Sequence, residues 1–361
     1  MVFVILSEIV LYLCFSILMG SFILSSIPQA YRPSLRIRKK YLFTAAMGLM
    51  LFSFVPVFLI IWKLQQRVGW EAGIQAVLFT FDIGKAWLFT AMVVVILLFF
   101  LAKFYQPEQT SYSWIGVLFT FLLIVGLAWS SHAHSLEYGK GLFIHITHFT
   151  AVTVWVGIMY VGSWFSKNHD NWLRFLRWYT PLALLCLFVT IASGIFLMTF
   201  SVDSPYPNSW MVDYGQFLLI KHILIISMLI YAVINGILIR RSLINNPNFN
   251  PVPWVKAESI IVLLVFAATA AMSHQMPPSA GTWQIQGVSV FFELFYQGNY
   301  YPGMETQFGI NSLSIIFMAI ALLFLYLIFY AFYKKTSPIF TFCLSVLFSF
   351  SIYLALMLSI G

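Results

Sequence analysis

The chain has 361 residues, 61% of them hydrophobic and only 8% charged, with a formal net charge of +8. A mean hydropathy of +0.91 excludes a soluble globular domain. The positive balance is not a nucleic-acid signal, because the basic residues lie in short segments between apolar runs, where they set membrane topology.

Ten apolar runs long enough to cross a bilayer are expected near 3–27, 41–61, 84–103, 114–131, 141–165, 177–200, 214–239, 257–274, 310–333 and 338–360. The fold class is therefore all-α, a polytopic transmembrane helical bundle. The first run, Met1 to about Ile27, reads as a transmembrane helix and not a cleavable signal peptide: it is long, holds Glu8, and has its basic residues after it. Cys14, Cys186 and Cys343 all lie inside apolar runs and form no CxxC pair, so neither a disulfide framework nor a thiolate metal motif is indicated.

Lys and Arg set the orientation. The segments after the odd-numbered spans hold Arg32, Arg36, Arg38, Lys39, Lys40, Lys103, Lys167, Arg174, Arg177, Arg240, Arg241, Lys256, Lys334 and Lys335; the opposite side holds Lys63, Arg67, Lys85 and Lys140. The positive-inside rule makes the richer side cytoplasmic and puts both termini outside, in a multi-pass protein of the cytoplasmic membrane.

Spans four and eight end alike, in Trp129-Ser-Ser-His132-Ala-His134 and Ala271-Met272-Ser-His274-Gln-Met276. Spans three and seven begin alike, in Phe81-Asp82-Ile-Gly84 and Val212-Asp213-Tyr-Gly215. The spacing predicts two parallel four-helix units, 1–140 and 141–278, then an outer loop over 279–309 and two additional spans over 310–361. Pro277, Pro278, Gly281, Gly298, Pro302 and Gly303 break up the outer loop, while Val288 to Tyr296 is expected to lie at the interface as an anchor or as a cover.

Six of the seven histidines map to the outer half or outer boundary: His132, His134, His145, His148, His222 and His274. His145 and His148 are the strongest signal. Three apart on a helix, they share a face, with Cα atoms about 4.5 Å apart along the axis. Ionisable groups inside a membrane are costly and are usually functional, and imidazole suits copper, zinc, iron and nickel. His132-Ala-His134 and His274 would add ligands from the boundary, with Met272 and Met276 as thioethers suited to Cu(I). His222 would be the next station inward. Its neighbour Lys221 would repel a cation in transit unless it snorkels or pairs with Asp213 or Asp82. Glu8 is a candidate auxiliary or proton-accepting group. Glu258, which opens span eight, is explained by pairing with Lys256 or Arg241.

No Gly-x-x-x-x-Gly-Lys-Ser/Thr loop, Asp-Lys-Thr-Gly sequence, Gly-x-Ser-x-Gly or His-Glu-x-x-His occurs in the chain. ATP-driven pumping and hydrolase or zincin chemistry thus have no support, and no enzymatic activity is expected.

Taken together, the stretch Arg174-Phe-Leu-Arg-Trp-Tyr-Thr-Pro181, the pair Ser193-Gly194, Asp213-Tyr214-Gly215 leading to Lys221, Asn235 leading to Arg240-Arg241, and Glu258 opening a span resemble the copper-resistance CopD family. The outer His-x-His and His145-Ile-Thr-His148 also look family-like. The resemblance covers spans five to eight well and one to four moderately. It implies copper uptake or resistance, with copper as Cu(I) or Cu(II) held by outer histidines, in a lipid bilayer and often beside a small extracytoplasmic CopC-like partner. Two other readings stay open: bis-histidine haem ligation, with His145 or His148 facing His222, and a membrane scaffold or sensor.

Overall fold

The computed structural model describes residues 2–106, 109–202, 206–278, 287–296, 298 and 305–360. Among them, ten helices are long and apolar enough to cross a membrane. They are α1 (Val2–Ser26), α2 (Lys39–Val68), α4 (Asp82–Lys103), α5 (Thr110–Trp129), α7 (Lys140–Trp164), α8 (Trp172–Ser201), α9 with its continuation α10 (Asp213–Asn245), α11 (Val252–Ser273), α13 (Ser312–Tyr333) and α14 (Pro338–Met357). Three short α-helices lie between them among the described residues, α3 (Trp70–Phe79), α6 (His132–Leu136) and α12 (Val290–Phe295), together with 3-10 helices at Gln29–Tyr31 and Tyr206–Met211. The chain is a multi-pass, all-α membrane protein. The expected breaks at Gly281, Pro302 and Gly303 lie outside the described residues.

The spans form helices because every backbone N–H and C=O must be satisfied within the segment when no water is at hand. They are apolar nearly all round, so what distinguishes their packed faces is residue size and a few polar side chains. The chain divides into two compact units, residues 1–200 with 246–250, and residues 201–245 with 251–361.

In the first unit α1 packs most extensively on α7. At their crossing a Cβ on Gly20 would lie 2.0 Å from the Gly157 carbonyl oxygen, and a Cβ on Gly157 would lie 2.4 Å from that of Ser16. Only glycine lets the two backbones approach this closely. Closer to the start of both helices, the Phe149 ring packs on Tyr12 at 5.6 Å and edge-on against Phe15 at 5.1 Å. Both sets of contacts advance together along the chain, so α1 and α7 run parallel. At their far ends the following segments pair, Arg36 N–H donating to Phe165 O and Lys167 N–H to Ser34 O. Two of the basic loops assigned to one side thus meet at one end of this unit.

α3 was not foreseen in the hydropathy pattern. It is short and carries Glu71, and α2 runs past its expected end to Val68 before Gly69, at φ 82, turns the chain. α3 then folds back so that Val77 packs with Val57 and Ile61 of α2.

The second unit is built on α9, α11, α13 and α14. The segment expected at the interface does form a helix, α12, but Phe292 is fully buried against Trp210, Leu219, Ile223 and Tyr353, while Val290 and Leu294 are exposed. Its aromatics therefore cap the α9–α14 pair as well as facing outward. Ser289 N–H donates to Met211 O and holds the segment there.

The two starts aligned in the sequence share one local device. A Cβ on Gly84 would lie 1.9 Å from Val77 O, and a Cβ on Gly215 would lie 1.8 Å from Ser209 O. In each case the missing side chain lets the preceding short helix, α3 before Gly84 and the 3-10 helix Tyr206–Met211 before Gly215, seat its backbone on the first turn of the span. The two aligned ends match as well: Ser131 Oγ donates to Ala128 O and Ser273 Oγ to Ala270 O.

Candidate metal centre

The first unit positions four of the histidines. The α1–α7 register pairs Tyr12 with Phe149. Carried back one helical turn on each strand of the pair, it brings Glu8 and His145 to the same level. The Tyr12 hydroxyl donates to Glu8 Oε2 at 3.0 Å, and the His145 ring lies 6.4 Å from that of Phe149. Glu8–Tyr12 and His145–Phe149 are therefore i,i+4 pairs at matching levels of α1 and α7, and both Glu8 and His145 are partly buried.

His148 lies one turn further in and faces α8. Its Nδ1 is 3.0 Å from Ser193 Oγ. The Ser193 hydroxyl has a single proton, and Val189 O lies 2.5 Å from its Oγ. When that proton points to Val189 O, Oγ accepts from His148 Nδ1–H and the lone pair is on Nε2; when it points to His148, Nδ1 accepts and Nε2 carries the proton. The adjacent Gly194 makes room for the ring: a Cβ there would sit 3.4 Å from His148 Cε1. A ring held at one nitrogen by hydrogen bonding, with the other nitrogen basic, is the arrangement that metal-ligating histidines use.

α6 carries the other pair. Ser131 caps it, its hydroxyl accepting from the His134 N–H at 3.3 Å. His134 is buried, with its ring 4.6 Å from that of Tyr138, and its Nδ1 has no hydrogen-bond partner among the described residues. His132 is exposed.

In the second unit His222 Nδ1 lies 2.9 Å from the Tyr206 hydroxyl. Burial holds the Tyr206 phenol well above its ordinary pKa, so it stays neutral and shares one proton with the imidazole. Only the tautomer in which Nδ1–H donates to the phenol oxygen leaves Nε2 able to bind a metal. Lys221 is partly buried and makes no ion pair with Asp213 among the described residues; Asp82 has Lys85 at 3.8 Å. His274 is exposed at the end of α11, with Met276 exposed beyond it and Met272 partly buried.

Among the described residues no three His, Cys, Asp or Glu side chains gather closely enough to form a metal-binding group. The sequence pattern named the histidines and Glu8 but missed Ser193 beside His148, Tyr206 beside His222 and Tyr12 beside Glu8. Their contacts lie 45 and 16 residues apart or depend on helix register. Glu258 was expected to pair with Lys256 or Arg241, but its carboxylate accepts from Asn235.

Comparison with known proteins agrees with the pattern. Residues 173–272 match the family described as Copper resistance protein D, and residues 1–142 match Copper resistance protein D-like, N-terminal domain. Copper transport protein CutJ of Bacillus subtilis (strain 168) is 26% identical over 215 residues, 55% of this chain and 38% of that protein, so the alignment spans well under half of that relative. No solved structure matches. With two separate stretches matched on a bundle of apolar helices, the chain belongs to the copper resistance protein D family.

Proposed function

We propose that the chain takes copper into or across the cytoplasmic membrane without ATP hydrolysis, gripping it through outer-side histidines. His145 and His148 are the primary pair, Glu8 serves as an auxiliary acceptor at the level of His145, and His132, His134 or His274 deliver copper from the boundary. Met272 and Met276 favour Cu(I) at that boundary, and His222 is a later station. The observation that carries this reading is the His148–Ser193 hydrogen bond, which fixes one ring nitrogen of an imidazole one turn from His145; the tautomer with the proton on Nδ1 is the one that binds copper. Two imidazoles suffice to hold Cu(I), which accepts low coordination numbers, so a three-residue cluster is not required. The basic side faces the cytoplasm and both termini face outward. The matched local packing at Gly84 and Gly215 supports the parallel four-helix repeat. An extracytoplasmic CopC-like protein would supply the copper, and Asp213 and Lys221 would act only by tuning charge near His222.

The test is metal analysis and a visible spectrum on the purified chain. Copper without a Soret band is the expected result. A Soret band without copper would make the histidines haem ligands, and neither signal would leave a scaffold or sensor.

A further inference from the structure

Glu258 is buried in the second turn of α11, only 4% exposed, within a bundle read as crossing the membrane. Its carboxyl Oε2 accepts a hydrogen bond from Asn235 Nδ2 at 2.5 Å, and it makes no ion pair among the described residues. Asn235 is 7% exposed, and its Oδ1 has no hydrogen-bond partner among the described residues. A carboxylate in hydrocarbon with one neutral donor and no cation is strongly disfavoured, and so is a buried amide oxygen without a donor. One proton removes both problems. A carboxylic acid O–H on Glu258 would supply the donor that the neighbouring Oδ1 lacks, beside the hydrogen bond that Asn235 Nδ2 already gives.

The backbone around this pair is also unusual. Asn235 stands in a π-helical turn, Ile234–Leu238, closed by Ile239 N–H to Ile234 O. Such turns differ from an α turn by one hydrogen-bond register and occur mostly at functional positions. The pair lies a turn or so inside the end that holds Arg240, Arg241, Lys256, Lys334 and Lys335. From α9, Tyr231 and Asn235 face Glu258; α14 adds Cys343 beside Tyr231; on its own helix the nearest charge is Lys256. The groups facing Glu258, Asn235 and Tyr231, offer hard oxygens, which suit a proton and not Cu(I).

We propose that Glu258 is a proton-binding site coupled to copper movement. This rests on the copper reading above and adds to it what balances the charge. At rest the Glu258 carboxyl holds a proton beside Asn235. On copper passage the O–H bond breaks and the proton leaves to water at the basic end, while the electron pair stays on the carboxylate. Rebinding a proton from water restores the acid. One proton released offsets the charge of one arriving Cu(I).

The experiment uses the full chain in liposomes with Cu(I) outside and a pH-sensitive dye inside, together with infrared spectra of the purified chain without copper. The wild type is expected to show a protonated-carboxyl band and a copper-driven proton signal. E258Q is expected to lose the band and bring the proton signal to that of empty liposomes, while copper bound per chain is unchanged. N235A, which keeps the acid, is expected to shift the band, and this variant decides the matter should E258Q not fold. A wild-type proton signal in E258Q, or no band that depends on Glu258, overturns the proposal. If the wild type neither binds nor moves copper, the copper reading fails instead, and the infrared band alone then decides whether Glu258 holds a proton.

Discussion

Gly20→Leu should prevent accumulation of the folded chain, and Gly20→Ala should lower its thermal midpoint in detergent. A Cβ at this position would lie 2.0 Å from Gly157 O and 2.8 Å from Ile158 N, both backbone atoms of the neighbouring helix. No rotamer change can relieve such a clash, so α1 and α7 must move apart. Alanine gains about 1 kcal/mol of helix propensity over glycine, but overpacking against backbone costs about 1–3 kcal/mol or more. The separation also loosens the Tyr12–Phe149 contact that sets Glu8 level with His145. The control is Gly309→Ala, where nothing lies within 4 Å of an added Cβ and stability should be unchanged. An unchanged midpoint in Gly20→Ala would mean that the crossing is not this close.

Ser193→Ala should weaken copper binding by about 10–100-fold, the usual effect of removing the group that orients a metal-ligating imidazole. The alanine removes the hydroxyl that holds His148 Nδ1 and frees the ring to rotate or change tautomer. Ser193→Thr, which keeps a hydroxyl, should restore most of the affinity. In a His148→Ala background, Ser193→Ala should have no further effect, because a group that acts through His148 cannot act in its absence. Additive losses in a copper titration of the double variant would show that Ser193 matters only to packing.

The ten spans were legible because length and hydropathy alone identify a membrane helix. α3 was not legible, since a short helix carrying Glu71 has no such signature. Which faces meet was not legible either. In lipid a helix is apolar on every side, so no amphipathic stripe marks the packed face of α7, and His148 could not be assigned to Ser193 from spacing. The same limit hid Asn235 from Glu258, 23 residues away on another helix. Short repeats of Asp-x-Gly and Ser-His were visible as text, but the backbone contact at Gly84 and Gly215 that gives the first its physical reason required coordinates.

The most direct measurement is a Cu(I) competition titration of the purified chain against a chelator of known affinity, run on wild type and on the His145→Ala/His148→Ala double variant. Tight binding in the wild type, reduced by two orders of magnitude or more in the variant (~3 kcal/mol), is the predicted result. Equal affinity in the two proteins would contradict the claim that these paired imidazoles hold the metal.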